Sequence, residues 1–217
     1  MTSFVLKIIA LISMICDHTG YIIFDCFSFM NYIGRLAFPI FAFLITEGYT
    51  HTSNLKRYFS RLLIFSVISQ LPYMLLFNHS FTLNILFTLA LGLLAITVYN
   101  ELNNKLFGIL FIIFCSVLAN ILHFDYGWFG IVIIFIFYIF KTNKIYLNIL
   151  FSFTVFINYF YYFAKTSRIE YLFIILSCTL SLIPINLYNG KKGKNTKYLL
   201  YIFYPLHLII LYTLSFI

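Results

Sequence analysis

Long apolar runs broken by short polar punctuation organise this chain. Leu62 to Asn100 contains no Lys, Arg, Asp or Glu. At roughly 20 apolar residues per bilayer crossing, that stretch holds two helices joined at Asn78-His79-Ser80. Uncharged runs follow at Leu106–Phe124, Tyr126–Phe140, Ile145–Ala164, Tyr171–Gly190 and Tyr198–Ile217, and Phe4–Phe24 and Asn31–Tyr49 precede it. The pattern predicts an all-α fold: a polytopic membrane helical bundle of about nine transmembrane helices. It forms a single domain over residues 1–217, with loops too short for an extramembrane domain. The runs are too long for barrel strands and lack their alternation.

Composition sharpens this. Hydrophobic residues make up 63% of the chain, with 28 Phe and 18 Tyr against only six acidic residues. A soluble domain of this size must cover its surface with polar groups, so a cytosolic globular domain, a disordered tail and a nucleic-acid-binding module are excluded. The net charge of +8 then reads as loop topology. With the N-terminus inside, the inner loops carry Lys56, Arg57, Arg61, Lys105, Lys141, Lys144, Lys191, Lys192, Lys194 and Lys197, and the outer loops only Lys165 and Arg168. The bias predicts N-terminus in and C-terminus out. The first run lacks a small-residue cleavage site and is interrupted by Asp17 and His18, so it reads as a retained span rather than a signal peptide. Cys16, Cys26, Cys115 and Cys178 form no CxxC and no metal spacing; free thiols and no metal are expected.

A charge at the centre of a span costs about 2.5–3.5 kcal/mol on insertion scales, so ionisable groups within spans point to pairs, cavities or chemistry. Lys7 and His18 stand eleven residues apart in the first helix, which returns them to nearly the same face about 16 Å apart. Lys7, Leu11, Met14 and His18 form one stripe. One reading is a cation for an anionic cytosolic substrate with a base further along the same groove; the other is a snorkelling Lys and a packed His. Asp17 either orients His18 or pairs with another helix. Arg35 lies near the outer end of the second helix, level with Asp17, and Glu47 near the inner end, level with Lys7. Two cross-helix pairs, Asp17–Arg35 and Lys7–Glu47, satisfy all four charges. Pro39 removes a backbone hydrogen bond and kinks this helix. In the last helix, Tyr204-Pro205-Leu206-His207 places a His beside a proline kink, either lining a cavity or packed. Asp125 is expected to cap the helix that follows it.

Two inner basic clusters remain: His51-Thr52-Ser53-Asn54-Leu55-Lys56-Arg57 with Arg61, and Asn189-Gly190-Lys191-Lys192-Gly193-Lys194. Topology alone accounts for such lysines. No Walker or Rossmann pattern is present, which argues against a nucleotide hydrolase or a dehydrogenase.

Lys7 to Asp17-His18, Gly34-Arg35-Leu36-Ala37-Phe38-Pro39-Ile40-Phe41-Ala42-Phe43 and Glu47-Gly48 together resemble the TraX family. So do Asp125-Tyr126-Gly127-Trp128-Phe129-Gly130, Asn189-Gly190-Lys191-Lys192-Gly193 and Tyr204-Pro205-Leu206-His207-Leu208. That family is named for a conjugation protein that acetylates the N-terminus of pilin. It is similar to a wider superfamily of membrane acyltransferases whose signature is a basic residue, ten residues, then His in the first helix; Lys7 and His18 fit it without a gap. The resemblance implies a transferase of the bacterial cytoplasmic (inner) membrane that takes an acyl-CoA donor, acetyl-CoA, from the cytosol. It implies a catalytic set of His18 as base or acyl carrier, Asp17 as its orienter and Arg35 as oxyanion or acceptor contact. Lys7, Lys56, Arg57, Arg61, Lys191, Lys192 and Lys194 would meet the phosphates of CoA, and Glu47 and His207 the acceptor. The acceptor itself, a peptide N-terminus, another amine or a hydroxyl, is not fixed by the family name. The rival reading is a small-solute transporter or substrate-binding membrane subunit using the same intramembrane charges.

Overall fold

The computed structural model describes residues 1–24, 27–78, 81–194 and 198–216. Asp25, Cys26, His79, Ser80 and Lys197 lie outside the described residues. The described residues form helices α1 (Ser3–Ile23), α2 (Phe29–Gly34), α3 (Ala37–His51), α4 (Leu55–Phe77), α5 (Ile85–Glu101), α6 (Lys105–Ile121), α7 (Gly127–Ile139), α8 (Lys144–Thr166), α9 (Glu170–Leu180), α10 (Leu182–Asn186) and α11 (Leu199–Leu214). α2 and α3 run on as Phe29–His51 and α9 and α10 as Glu170–Asn186, so each apolar run of the sequence corresponds to one of nine helices among the described residues. Ser3–Ile23, Phe29–His51, Leu55–Phe77 and Lys144–Thr166 are long and apolar enough to cross a membrane. The outward faces carry exposed apolar side chains, among them Ile64, Val67 and Leu71 of α4, Phe107 and Phe114 of α6 and Phe153 of α8. A soluble surface cannot carry such a coat, whereas lipid tails cover it without penalty. This is a membrane protein.

Asparagine caps set several helix starts. The side chains of Asn54, Asn104 and Asn143 accept from the backbone N–H groups of Arg57, Leu106 and Tyr146, satisfying donors that a helix N-terminus leaves free. The Asn54 cap corrects one expectation: α4 begins at Leu55, so Lys56, Arg57 and Arg61 stand on its first turns rather than in a loop. Asp125 is corrected too. It does not cap α7; Asn120 Oδ1 accepts from Trp128 N at 2.9 Å instead, and Asp125 N donates to Leu83 O at 2.8 Å. Gly127, at φ +46°, faces the same Asn120, whose Oδ1 lies 2.3 Å from where a Cβ would stand, so this turn admits glycine alone.

The break between α2 and α3 falls at Arg35-Leu36. Pro39 has no N–H to offer the Arg35 carbonyl, and Cys178 Sγ of α9 donates to that oxygen instead, at 3.7 Å. α3 is central: every residue from Ala37 to Glu47 is buried, packed by α1, α5 and α7, while α11 lies between α1 and α4. Close approach of α1 and α2 depends on Gly34, where a Cβ would meet Asp17 Cβ at 2.2 Å.

The helices alternate, so their junctions gather at two ends. At one, Ser3 N donates to Lys191 O at 2.9 Å and Phe4 N to Lys192 O at 3.1 Å. Lys141 Nζ reaches Thr50 Oγ1 at 2.9 Å and Lys144 Nζ reaches Asn186 O at 2.8 Å at the same end. The described lysines and arginines assigned above to inner loops all belong to this end. Lys165 and Arg168 belong to the other, where the Arg168 guanidinium sits 5.0 Å from the Phe27 ring centre.

Candidate functional site

A cavity of about 560 Å³ opens at the basic end between α1, α3, α4, α5 and α11, within the usual size range of small-ligand sites. Three members of the first-helix stripe, Lys7, Leu11 and Met14, line it. Its mouth is polar and cationic: Lys7, His51, Arg57, Arg61 and Lys192 stand there with Ser53, Asn54 and Gly190. Its shaft is apolar, with Leu11, Met14, Phe41, Leu44, Leu86 and Leu89, and Tyr204 also lines it. Gly48 leaves room for the Tyr58 phenol in the wall; a Cβ there would come within 2.5 Å of the Tyr58 oxygen. Arg61 lies 5.8 Å from the Tyr58 ring centre. Of the basic residues expected to meet a phosphorylated ligand, Lys7, Arg57, Arg61 and Lys192 line the cavity, and Lys56, Lys191 and Lys194 do not. Lys194 packs over the Phe4 ring, 5.9 Å from its centre.

His18 and His207 meet one helical turn beyond the innermost stripe residue. His18 follows Met14 by four residues and His207 follows Tyr204 by three, so each histidine stands on the face of a cavity-lining neighbour. Their rings are nearly coplanar and meet edge to edge, with centroids 5.0 Å apart, planes 16° apart and His18 Nδ1 2.8 Å from His207 Nε2. His207 Nδ1 lies 3.0 Å from the Phe203 carbonyl oxygen. Phe77 of α4 packs edge-on against His18 at 5.1 Å. Neither His18 nor His207 lines the cavity; the two contact each other behind Met14 and Tyr204.

Asp17 does not orient His18. It pairs with Arg35 at 3.5 Å, and Asn31 Nδ2 donates to its backbone oxygen at 2.9 Å. The pair couples α1 to the α2–α3 break, as the matched depths of the two residues predicted. Consecutive residues on a helix point about 100° apart, which is why Asp17 and His18 face different helices. Arg35 is held outside the cavity. Asp125 joins this end of the bundle from the α6–α7 segment; burial, reinforced by Asp17 and opposed by Arg35, pushes its carboxyl up to about 7.

The second expected pair is corrected. Glu47 is not held by Lys7: its carboxylate meets Lys141 Nζ at 2.5 Å and His51 Nδ1 at 3.8 Å. Glu47 and Lys7 are level, as the sequence indicated, but they face the cavity from α3 and α1, and the turn after α7 brings Lys141 against Glu47. Tyr188 completes the group; burial and a hydrogen bond to Glu47 push its phenol upward. Glu47, His51, Tyr188 and Gly190 line both the main cavity and a smaller one of about 330 Å³ that also contains Lys141 and Lys144. Tyr58 and Tyr188 carried no signal in the sequence, being two among 18 tyrosines, and Tyr204 stood out only through the Pro205 and His207 that follow it. Among the described residues, no three His, Cys, Asp or Glu converge as metal ligands.

The model of the TraX protein family matches residues 3–215. The chain is 28% identical to the "Probable fimbrial assembly protein FimC, serogroup H1" of Dichelobacter nodosus, over 97% of this chain and 94% of that protein. It is 32% identical to the "Uncharacterized protein RP591" of Rickettsia prowazekii (strain Madrid E), over 57% of this chain and 46% of that one. No solved structure matches. A family match that runs almost from end to end, on a bundle that sets the Lys7 stripe along a cavity, places the chain: it belongs to the TraX family.

Proposed function

We propose that the chain is a nine-span acyltransferase of the bacterial cytoplasmic membrane, N-terminus in and C-terminus out, which transfers an acetyl group from cytosolic acetyl-CoA to an amine or hydroxyl acceptor. One observation carries the reading: a cavity with a cationic mouth and an apolar shaft that runs along Lys7, Leu11 and Met14 toward His18. Coenzyme A has matching parts, a polyanionic head and a long thin arm ending in the thioester. Lys7, Arg57, Arg61 and Lys192 meet the phosphates, with Lys56, Lys191 and Lys194 adding to the attractive field outside the mouth. The arm fills the shaft, which runs roughly 10 Å along α1 from Lys7 to Met14, with His18 one turn beyond it. Met14 is flexible enough to move aside and admit the acyl group to His18.

His18 then acts as general base. Its free ring nitrogen takes the acceptor's proton as the acceptor nitrogen or oxygen bonds to the acyl carbon. The carbon–sulfur bond breaks, its electron pair stays on sulfur, and the proton passes to the departing thiolate. The fimbrial assembly name of the Dichelobacter relative favours a protein acceptor such as a pilin-like subunit. Asp17 and Arg35 hold α1 in place for this chemistry, and Glu47 shapes the cavity wall.

The test is turnover of radiolabelled acetyl-CoA by purified protein in lipid nanodiscs, with free thiol and labelled acceptor both counted. Wild type should consume the donor, and His18→Ala should lose at least about 100-fold, the lower bound of a general base's contribution. A wild type that neither binds nor consumes acetyl-CoA defeats the enzyme reading. Full transfer by His18→Ala defeats the choice of base.

A further inference from the structure

We infer that His207 is a positioning residue that fixes the tautomer of His18, through a one-way hydrogen-bond relay anchored on the Phe203 carbonyl. The inference rests on the acyltransferase reading for its effect on rate, while the tautomer itself follows from geometry alone.

The relay has one direction because its far end can only accept. The Phe203 oxygen lies 3.0 Å from His207 Nδ1. A backbone carbonyl has no proton to give, so His207 Nδ1 carries the hydrogen. A neutral imidazole has one donor and one acceptor nitrogen, so His207 Nε2 is left with its lone pair. That lone pair faces His18 Nδ1 at 2.8 Å, and two lone pairs do not approach so closely. His18 Nδ1 therefore carries a hydrogen and donates it. His18 Nε2 is left unprotonated, the state a base requires. The chain reads His18 Nδ1–H to His207 Nε2, then His207 Nδ1–H to the Phe203 oxygen.

The helix supplies the anchor. Phe203 is four residues before His207, where the N–H of residue 207 ordinarily points; the imidazole adds a second donor to the same carbonyl. Pro205 lies between them and offers no N–H to the Tyr201 carbonyl four residues before it. Packing then holds both rings. His207 meets His18 edge to edge, its ring nearly coplanar with the His18 ring, while Phe203 stacks on it at 5.2 Å and Tyr204 tilts against it at 5.5 Å. Phe77 closes the edge of His18.

The consequence for transfer is specific. When His18 Nε2 takes the acceptor's proton, the new imidazolium keeps its Nδ1–H on His207 Nε2, so the positive charge gains a charge-assisted hydrogen bond without any group moving. Without His207, both tautomers of His18 are open, and the one protonated at Nε2 cannot serve. Asp17, the carboxylate next door in sequence, is committed to Arg35 and does not take this part.

The test replaces His207 by Phe, which keeps a stacking ring and removes the acceptor, and by Gln, whose amide oxygen restores one. His207→Phe should lower kcat for acetyl transfer roughly 100-fold and leave the KM for acetyl-CoA within about twofold, since His207 does not line the cavity. His207→Gln should recover most of that loss. Equal kcat in wild type and His207→Phe overturns the positioning role, and so does a loss confined to KM. A second readout needs no turnover: nitrogen-15 spectra of histidine-labelled wild type in nanodiscs, with the His18 signals assigned by their disappearance in His18→Gln. A protonated Nδ1 and an unprotonated Nε2 on His18 support the relay; the opposite tautomer overturns it, including where His207→Phe does not fold. Should the wild type fail to turn over acetyl-CoA, the acyltransferase reading falls and the spectra alone decide the relay.

Discussion

Removing Lys141 should destabilise the protein far more than removing Lys7, although the two lysines are similarly placed along the bundle. Lys141 meets the Glu47 carboxylate at 2.5 Å, and the exposures of the partners are unequal: 31% for the Lys141 side chain and 6% for Glu47. Loss of one partner from a buried pair leaves the other charge uncompensated and typically costs about 3–5 kcal/mol. Lys141 is partly exposed, so the figure for Lys141→Met is discounted below that range, to about 2–3 kcal/mol. What remains near Glu47 is then the neutral Tyr188 phenol and His51 at 3.8 Å, itself largely exposed. Glu47→Gln should cost less, about 1 kcal/mol, because the freed Lys141 ammonium can turn to solvent on its flexible stem. The double variant should be more stable than Lys141→Met alone, the signature of a direct pair. Lys7→Met should leave stability within about 0.5 kcal/mol. Unfolding can be followed by a thiol-reactive dye, since the free thiols of Cys115 and Cys178 are buried and become reactive as the bundle opens. If Lys7→Met is the damaging change and Lys141→Met is silent, Glu47 is paired with Lys7 and not with Lys141.

Three further expectations follow. Gly34→Ala forces a Cβ to within 2.2 Å of Asp17 Cβ and 2.5 Å of its Cα, and moving backbone apart in a packed interface should cost about 3 kcal/mol; a dye-monitored midpoint equal to wild type contradicts that contact. Lys7→Ala and Lys192→Ala should each weaken acetyl-CoA binding several-fold, with a steeper salt dependence in wild type than in the variants, as read by equilibrium binding in nanodiscs; unchanged affinity would remove the phosphates from this mouth. Asp125 has its carboxyl raised from 3.8 to about 7, so the folded state holds a proton that the unfolded state releases in that interval. Stability should fall as pH rises from 3.8 toward about 7 and level off above it, and Asp125→Asn should flatten the profile; an unchanged slope in Asp125→Asn assigns the pH dependence elsewhere.

The apolar runs made the helices legible because charge is so scarce: Leu62 to Asn100 had to contain two. Helix ends were less visible, since charges mark where lipid ends and caps mark where helices begin; Asn54 starts α4 two turns before the apolar run. Periodicity along one helix was sound, so Lys7, Leu11 and Met14 share a wall as their spacing required. Depth matching succeeded for Asp17 and Arg35, whose helices are neighbours in sequence and forced together by Gly34. It failed for Glu47 because depth does not give direction around a helix axis, and Lys141 had been absorbed into loop topology. The His18–His207 contact joins residues 189 positions apart. Each histidine was a visible anomaly, but only the packing of α11 against α1 brings them together.

The most direct test of the account is an experimental structure of the protein with acetyl-CoA bound in nanodiscs. The phosphates should lie among Lys7, Arg57, Arg61 and Lys192, the pantetheine arm along Leu11 and Met14, and the thioester carbon within reach of His18 Nε2. Acetyl-CoA held elsewhere on the bundle, or a shaft that stays empty at saturating ligand, would contradict it.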